Sequence, residues 1–114
     1  MIIEIPIKVD SRLGLNKQYS GKHWSVRNRE ATEVHTAVKL ALMQYPYTMF
    51  EKPVRIKFYY NSRLDCDNHG YLNKLIIDAL KGLVIQDDDK RYVKEITTCF
   101  QSKSKNIILE ISEY

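Results

Sequence analysis

The sequence predicts an α+β fold: a small mixed β-sheet with two helices packed on one of its faces, in the order β-α-β-α-β-β. Two observations carry that expectation. Three stretches alternate apolar and polar residues with period two, a fourth reads as strand, and two longer stretches repeat their apolar residues at helical spacing. Strands and helices in this mixture are satisfied when the helices segregate to one face of the sheet. A chain of 114 residues, 44% hydrophobic and 28% charged, suits a single domain spanning residues 1–114 with a core that needs no metal or disulfide staple.

Residues 2–9 open the chain as a strand, with Ile3, Ile5, Ile7 and Val9 on one face and Glu4, Pro6 and Lys8 on the other; Pro6 assigns it to a sheet edge. Residues 10–25 hold no sustained period and read as a long loop, a feature that is often functional. From Val26 to Tyr45 the apolar positions Ala31, Val34, Val38, Ala41, Leu42 and Tyr45 form a helical stripe, leaving Arg27, Arg29, Glu30, Glu33 and Lys39 to face water. Pro46 ends that helix. Val54, Ile56, Phe58 and Tyr60 alternate with Arg55, Lys57 and Tyr59 in the clearest strand. Leu72, Leu75, Ile76, Ala79, Leu80 and Leu83 mark the second helix, with Gly82 near its end as a cap. Residues 92–101 and 106–112 read as two more strands, joined by SKSKN as a hairpin loop.

Lys and Arg total 18 against 14 Asp and Glu, a net charge of +4, which favours a polyanionic partner. The two cysteines, Cys66 and Cys99, form no CxxC pair and have no histidine cluster. They read as reduced, buried thiols rather than zinc ligands. Glu4, Pro6 and Lys8 break up the N-terminal apolar run, so it does not read as a signal peptide. No stretch approaches the roughly 20 apolar residues of a membrane span. The expectation is a cytoplasmic protein with no membrane partner.

Six of the 14 acidic residues (Asp65, Asp67, Asp78, Asp87, Asp88 and Asp89) fall between Arg63 and Tyr92. If Leu64 to Asp67 is extended, Asp65 and Asp67 leave the same side of the chain, with Cys66 opposite. Near-parallel carboxylates are hard oxygen donors of the kind magnesium takes, and the second helix could carry Asp87, Asp88 or Asp89 back toward them. An ion there would polarise a phosphodiester and acidify a water. Lys74 and Asp78 share a helix face, and the Lys74 ammonium could stabilise charge on a bound phosphate. The same residues admit a plainer account: Asp67 or Asn68 caps the helix, DDDK is a solvated turn, and Lys74–Asp78 is a surface ion pair. Between Lys8 and Arg29, basic residues including Lys17, Lys22, Arg27 and Arg29 alternate with Tyr19, His23 and Trp24. Cations supply phosphate affinity and flat rings stack on exposed bases; alternatively Trp24 plugs the edge of the core.

The run LDCDN, followed by Lys74, by IDAL ending at Leu80 and by QDD ending at Asp88, resembles the RusA family of Holliday junction resolvases. The likeness spans about Arg63 to Val93, roughly a quarter of the chain. Members of that family are homodimeric, magnesium-dependent endonucleases that cut four-way DNA junctions symmetrically. The resemblance implies Asp65, Asp67 and Asp88 as metal-binding catalytic aspartates, with Asp87 second to Asp88, and Lys74 as the catalytic lysine. It implies magnesium, or manganese, as cofactor. The spacing between Asp67 and Lys74 departs from the family pattern, being longer around His69 to Tyr71, and the acidic run is DDD rather than DD. Lys17, Lys22, Arg27 and Arg29 would hold the DNA backbone. Tyr59, Ile77 and Ile108, off the core stripes, are candidates for a dimer interface. A junction-binding protein with an inactive acidic site, or a structural domain with capping aspartates, are the other assignments that the residues leave open.

Overall fold

The computed structural model describes residues 1–19 and 21–114. Four strands, β1 (Ile2–Ile5), β2 (Val54–Tyr60), β3 (Val93–Phe100) and β4 (Ile107–Glu113), form one sheet in the order β1-β4-β2-β3. Among the described residues three α-helices accompany it: α1 (Leu15–Tyr19), α2 (Trp24–Leu42) and α3 (Gly70–Leu80). The class is α+β with a mixed sheet. The order differs from the expected one because α1, preceded by a 3-10 turn over Ser11–Leu13, forms inside the stretch read as loop.

The expected hairpin between the last two strands does not form. β3 runs parallel to β2 on one side, and β4 runs antiparallel to β2 on the other. The link between them crosses the end of β2 and is folded around Gln101. Its Nε2 donates to the Ser104 and Asn106 carbonyls, and its Oε1 accepts from the Lys103 and Ser104 amides. Composition explains the placement. Ile107, Leu109 and Ile111 of β4 are at most 1% exposed and demand an interior position, whereas Lys94, Glu95 and Ile96 of β3 are exposed and tolerate an edge.

β1 is shorter than its alternation suggests. Pro6 has no N–H to continue the ladder, and the chain turns there, with the Ile7 amide donating to the Ile5 carbonyl. Ile7 and Val9 still pack against the core.

One face of the sheet, lined by Ile3, Ile5, Ile56, Phe58, Leu109 and Ile111, buries against α2 and α3 in one contiguous core. Helix α2 contributes Val34, Val38, Ala41 and Leu42 as its period predicts, but it also buries Glu30 at 3% exposure. Its start is set by His23, whose Nδ1 accepts from the Ser25 amide as an N-cap. Ile77, expected at the surface, is 6% exposed in the core. Tyr59 and Ile108 lie opposite each other across β2 and β4 on the uncovered face.

Helix α3 ends because Gly82 adopts φ +76, letting its amide reach the Ile85 carbonyl at 2.7 Å. An added Cβ would touch nothing there, so Gly82→Ala isolates the backbone term. It is expected to lower stability by about 1–2 kcal/mol in urea denaturation, with an unchanged slope.

Candidate active site

The acidic segment begins where β2 ends and is held by a buried histidine. His69, 3% exposed, stacks on the Tyr60 ring at a centroid distance of 4.0 Å and 15°. Its Nδ1 lies 3.0 Å from the Cys66 carbonyl, which can only accept, so Nδ1 carries the proton. Nε2, at 2.8 Å from Ser62 Oγ, then accepts from that hydroxyl, while Ser62 Oγ accepts from the Leu64 amide. Behind this clamp the Tyr60 hydroxyl donates to Asn73 Oδ1 at 2.5 Å, and Asn73 Nδ2 donates to Thr98 Oγ1 at 2.9 Å. The sequence reading missed His69, Asn73 and Thr98; polar residues in a helix stripe and an edge strand gave only a faint signal.

The clamp turns Cys66–His69 into a 3-10 turn, so the extended geometry expected for Leu64 to Asp67 is absent. Asp65 precedes the turn and Asp67 sits within it, and the two carboxylates do not share a side by the strand rule. Both residues are exposed, and neither carboxylate has a hydrogen-bond or ion-pair partner among the described residues. Asp65 lines a cleft of about 240 Å³ with Cys66, His69, Cys99 and Phe100. Cys66 is exposed rather than buried, and its Sγ donates to the Thr98 carbonyl.

Neither Asp67 nor Asn68 caps α3. Asn68 instead accepts from the Asn16 amide at 2.8 Å and so caps α1, bringing the basic segment onto the acidic turn. Gly14 permits that approach: a Cβ there would lie 2.9 Å from Asn68 Nδ2.

Lys74, Asp78 and Asp88 share a second groove, of about 380 Å³, with Asn73, Ile77 and Ile96. The Lys74 ammonium is 3.6 Å from Asp78 and 71% exposed. Asp87 and Asp88 flank Lys81 at 3.5 and 3.6 Å. Their charge, Asp88 foremost, holds the Lys81 ammonium above the usual lysine range. Asp89 has a different partner. Arg91 binds it through both its guanidinium and its amide, and the Asp89 carboxyl is pulled down to about 2. Asp89 is thus a turn residue, leaving Asp87 and Asp88 as the carboxylates facing α3.

Both grooves lie along the outer edge of β3, one at Ile96 and the other at Cys99 and Phe100. Phe100 is four residue steps along the strand from Ile96, about 13 Å. Among the described residues no three His, Cys, Asp or Glu side chains come close enough to hold a metal ion. Asp65, Asp67 and Asp88 therefore fit magnesium in donor chemistry, being hard oxygen ligands, and are not gathered into one cluster.

The basic segment is only partly available to a ligand. Lys22, expected to hold DNA, turns inward. Its Nζ donates to the Arg12 carbonyl and, at 2.8 Å, to Glu30 Oε1, with the two side chains 9% and 4% exposed. The Tyr71 hydroxyl donates to the same Glu30 oxygen at 3.1 Å. Burial, then the Glu30 charge, pushes the Tyr71 phenol up to about 12. Lys17, Arg27 and Arg29 are exposed, and Arg27 Nη2 also donates to the Gln18 carbonyl. No helix among the described residues is long and apolar enough to cross a membrane. Comparison with protein-family models, curated proteins and solved structures finds no match for the chain.

Proposed function

We propose that the chain is a metal-dependent, structure-specific DNA endonuclease that resolves four-way junctions, similar in kind to the RusA resolvases. The observation that carries this reading is the shared groove of Lys74, Asp78 and Asp88, which runs along the same sheet edge as the cleft of Asp65, a carboxylate that, like the neighbouring Asp67, has no partner among the described residues. Asp65 at one groove, with Asp67 nearby in the chain, and Asp88 at the other, with Asp87 beside it, would supply oxygen ligands for magnesium or manganese, which when bound would polarise the scissile phosphodiester and acidify a water.

The side chains of the chain itself supply the rest. Among the described residues Lys74 is tethered only by its exposed pair with Asp78, so its ammonium can swing onto a phosphate in the groove and stabilise charge developing there. Lys81 neutralises Asp87 and Asp88, limiting their mutual repulsion. Lys17, Arg27 and Arg29 lie outside the grooves and would meet the sugar-phosphate backbone of the junction arms.

The test is a synthetic four-way junction, with and without magnesium, beside a linear duplex. Paired nicks confined to the junction and to magnesium are expected. Magnesium-independent binding without nicking would identify a junction-binding protein with an inactive acidic site. Uptake of neither DNA would leave the aspartates as structural turns.

Two opposed nicks require two copies of the site, and a two-fold dimer matches the two-fold of a junction. Tyr59 and Ile108 on the open sheet face remain the interface candidates, while Ile77 is buried. Sedimentation without DNA is expected to give twice the chain mass of 13.4 kDa. A mass near 13.4 kDa would mean that pairing, if any, happens on the junction.

A further inference from the structure

The junction of α1 and α2 combines two features that are each unfavourable alone. Beneath it lies a buried ion pair: Lys22, held by Glu30 and by the Arg12 carbonyl. The same stretch leaves two aromatic side chains in water, Tyr19 at 79% exposure and Trp24 at 68%. Burying a lysine carries a desolvation cost, and exposing large rings forgoes their burial. Both make sense together if the segment is held rigid in order to present those rings.

The surrounding contacts fit that arrangement. Arg27 reaches back to the Gln18 carbonyl at 3.2 Å and ties the end of α1 to the first turns of α2. Asn68 fixes the start of α1 from the acidic turn. His23 Nδ1 accepts from the Ser25 amide, which leaves its Nε2–H as a donor on the same exposed surface. The His23 and Trp24 rings adjoin, with centroids 5.8 Å apart. Trp24 does not plug the core edge.

We infer that Tyr19 and Trp24 form a preorganised stacking platform for unpaired nucleobases of single-stranded DNA. This rests on the nucleic-acid reading above and extends it: phosphate contacts from Arg27 and Arg29 would give affinity for any DNA, and the rings would favour the unstacked bases found where strands part. Charge complementarity favours this occupant over an apolar protein surface, because Lys17, Arg27 and Arg29, within five residues of a ring in the chain, are all exposed.

Trp24 is the only tryptophan in the chain, so its fluorescence reports on the platform directly. The experiment titrates the intact protein, without divalent metal, with oligo-dT and with a duplex of equal length. Oligo-dT is expected to quench Trp24 emission strongly and the duplex to leave it nearly unchanged. Tyr19→Ala and Trp24→Ala are each expected to weaken oligo-dT binding about 5- to 100-fold by anisotropy, with Trp24→Phe retaining most of the affinity. Absent quenching at saturation, or parent-like affinity in Trp24→Ala, would overturn the platform. So would a dimer that Trp24→Ala converts to monomer in sedimentation, which would assign the rings to self-association. Because stacking is read without metal, quenching in a protein that never nicks junctions sinks the nuclease reading alone. Junction nicking with Trp24→Ala unaffected in oligo-dT binding sinks the platform alone.

Discussion

Asp67→Asn is expected to bind four-way junctions as tightly as the parent and to cleave them at least about 100-fold more slowly. The amide has nearly the same size but no charge, so it is a poorer ligand for a hard cation. Asp67 is exposed and has no partner among the described residues, so the change should cost little stability, within about 0.5 kcal/mol. Loss of cleavage would then reflect the site rather than the fold. Asp89→Asn is the matched control: its carboxylate is tied to Arg91, and cleavage should stay near the parent rate. Single-turnover cleavage on a labelled junction, with a gel-shift assay lacking magnesium, separates the two effects. Parent-like cleavage by Asp67→Asn would remove the acidic turn from the chemistry.

Lys22→Met should destabilise the fold by about 3–5 kcal/mol. It strands Glu30, which is 3% exposed, with the Tyr71 hydroxyl on Oε1 and no partner for Oε2 among the described residues. Against a typical domain stability of about 5–15 kcal/mol, that is a large share. The double variant Lys22→Met, Glu30→Leu should regain most of the loss, because the penalty lies in the uncompensated charge rather than in the missing pair. Urea unfolding of the parent, single and double variants checks this. A single variant as stable as the parent would show that Glu30 finds another partner or water.

The regular elements were legible wherever periodicity and burial agreed. The alternation in Val54–Tyr60 and Ile107–Glu113 and the stripe from Leu72 to Leu80 placed three elements correctly, because each has one face that must leave water. Pairing was less visible. The last two strands are adjacent in sequence and suggested a hairpin, yet the exposed Lys94, Glu95 and Ile96 mark an edge strand and the apolar IIL of β4 an interior one. That contrast was readable and outweighed by proximity. The local geometry around the candidate site was hidden for a different reason. The pose of Asp65 and Asp67 depends on a 3-10 turn imposed by His69, Ser62 and Tyr60, and the inward turn of Lys22 depends on Glu30 and Tyr71 meeting it. Charged residues face water by default, and only the assembled helices override that default here.

The position of β4 has a consequence for how the protein comes to be folded. β1 pairs only with β4, so residues near the start wait for residues near the end, as in the Ile2–Glu110 register. β2, α3 and β3 can assemble as a contiguous crossover unit, but the strand that sits between β1 and β2 is synthesised after the other three strands. Until it arrives, β2 has an open edge and β1 has no neighbour. Pairings of such long sequence separation slow folding, and an open interior edge invites pairing with another chain. A nascent chain short of β4 is therefore the species most exposed to aggregation, and β4 acts as the closing piece of the sheet.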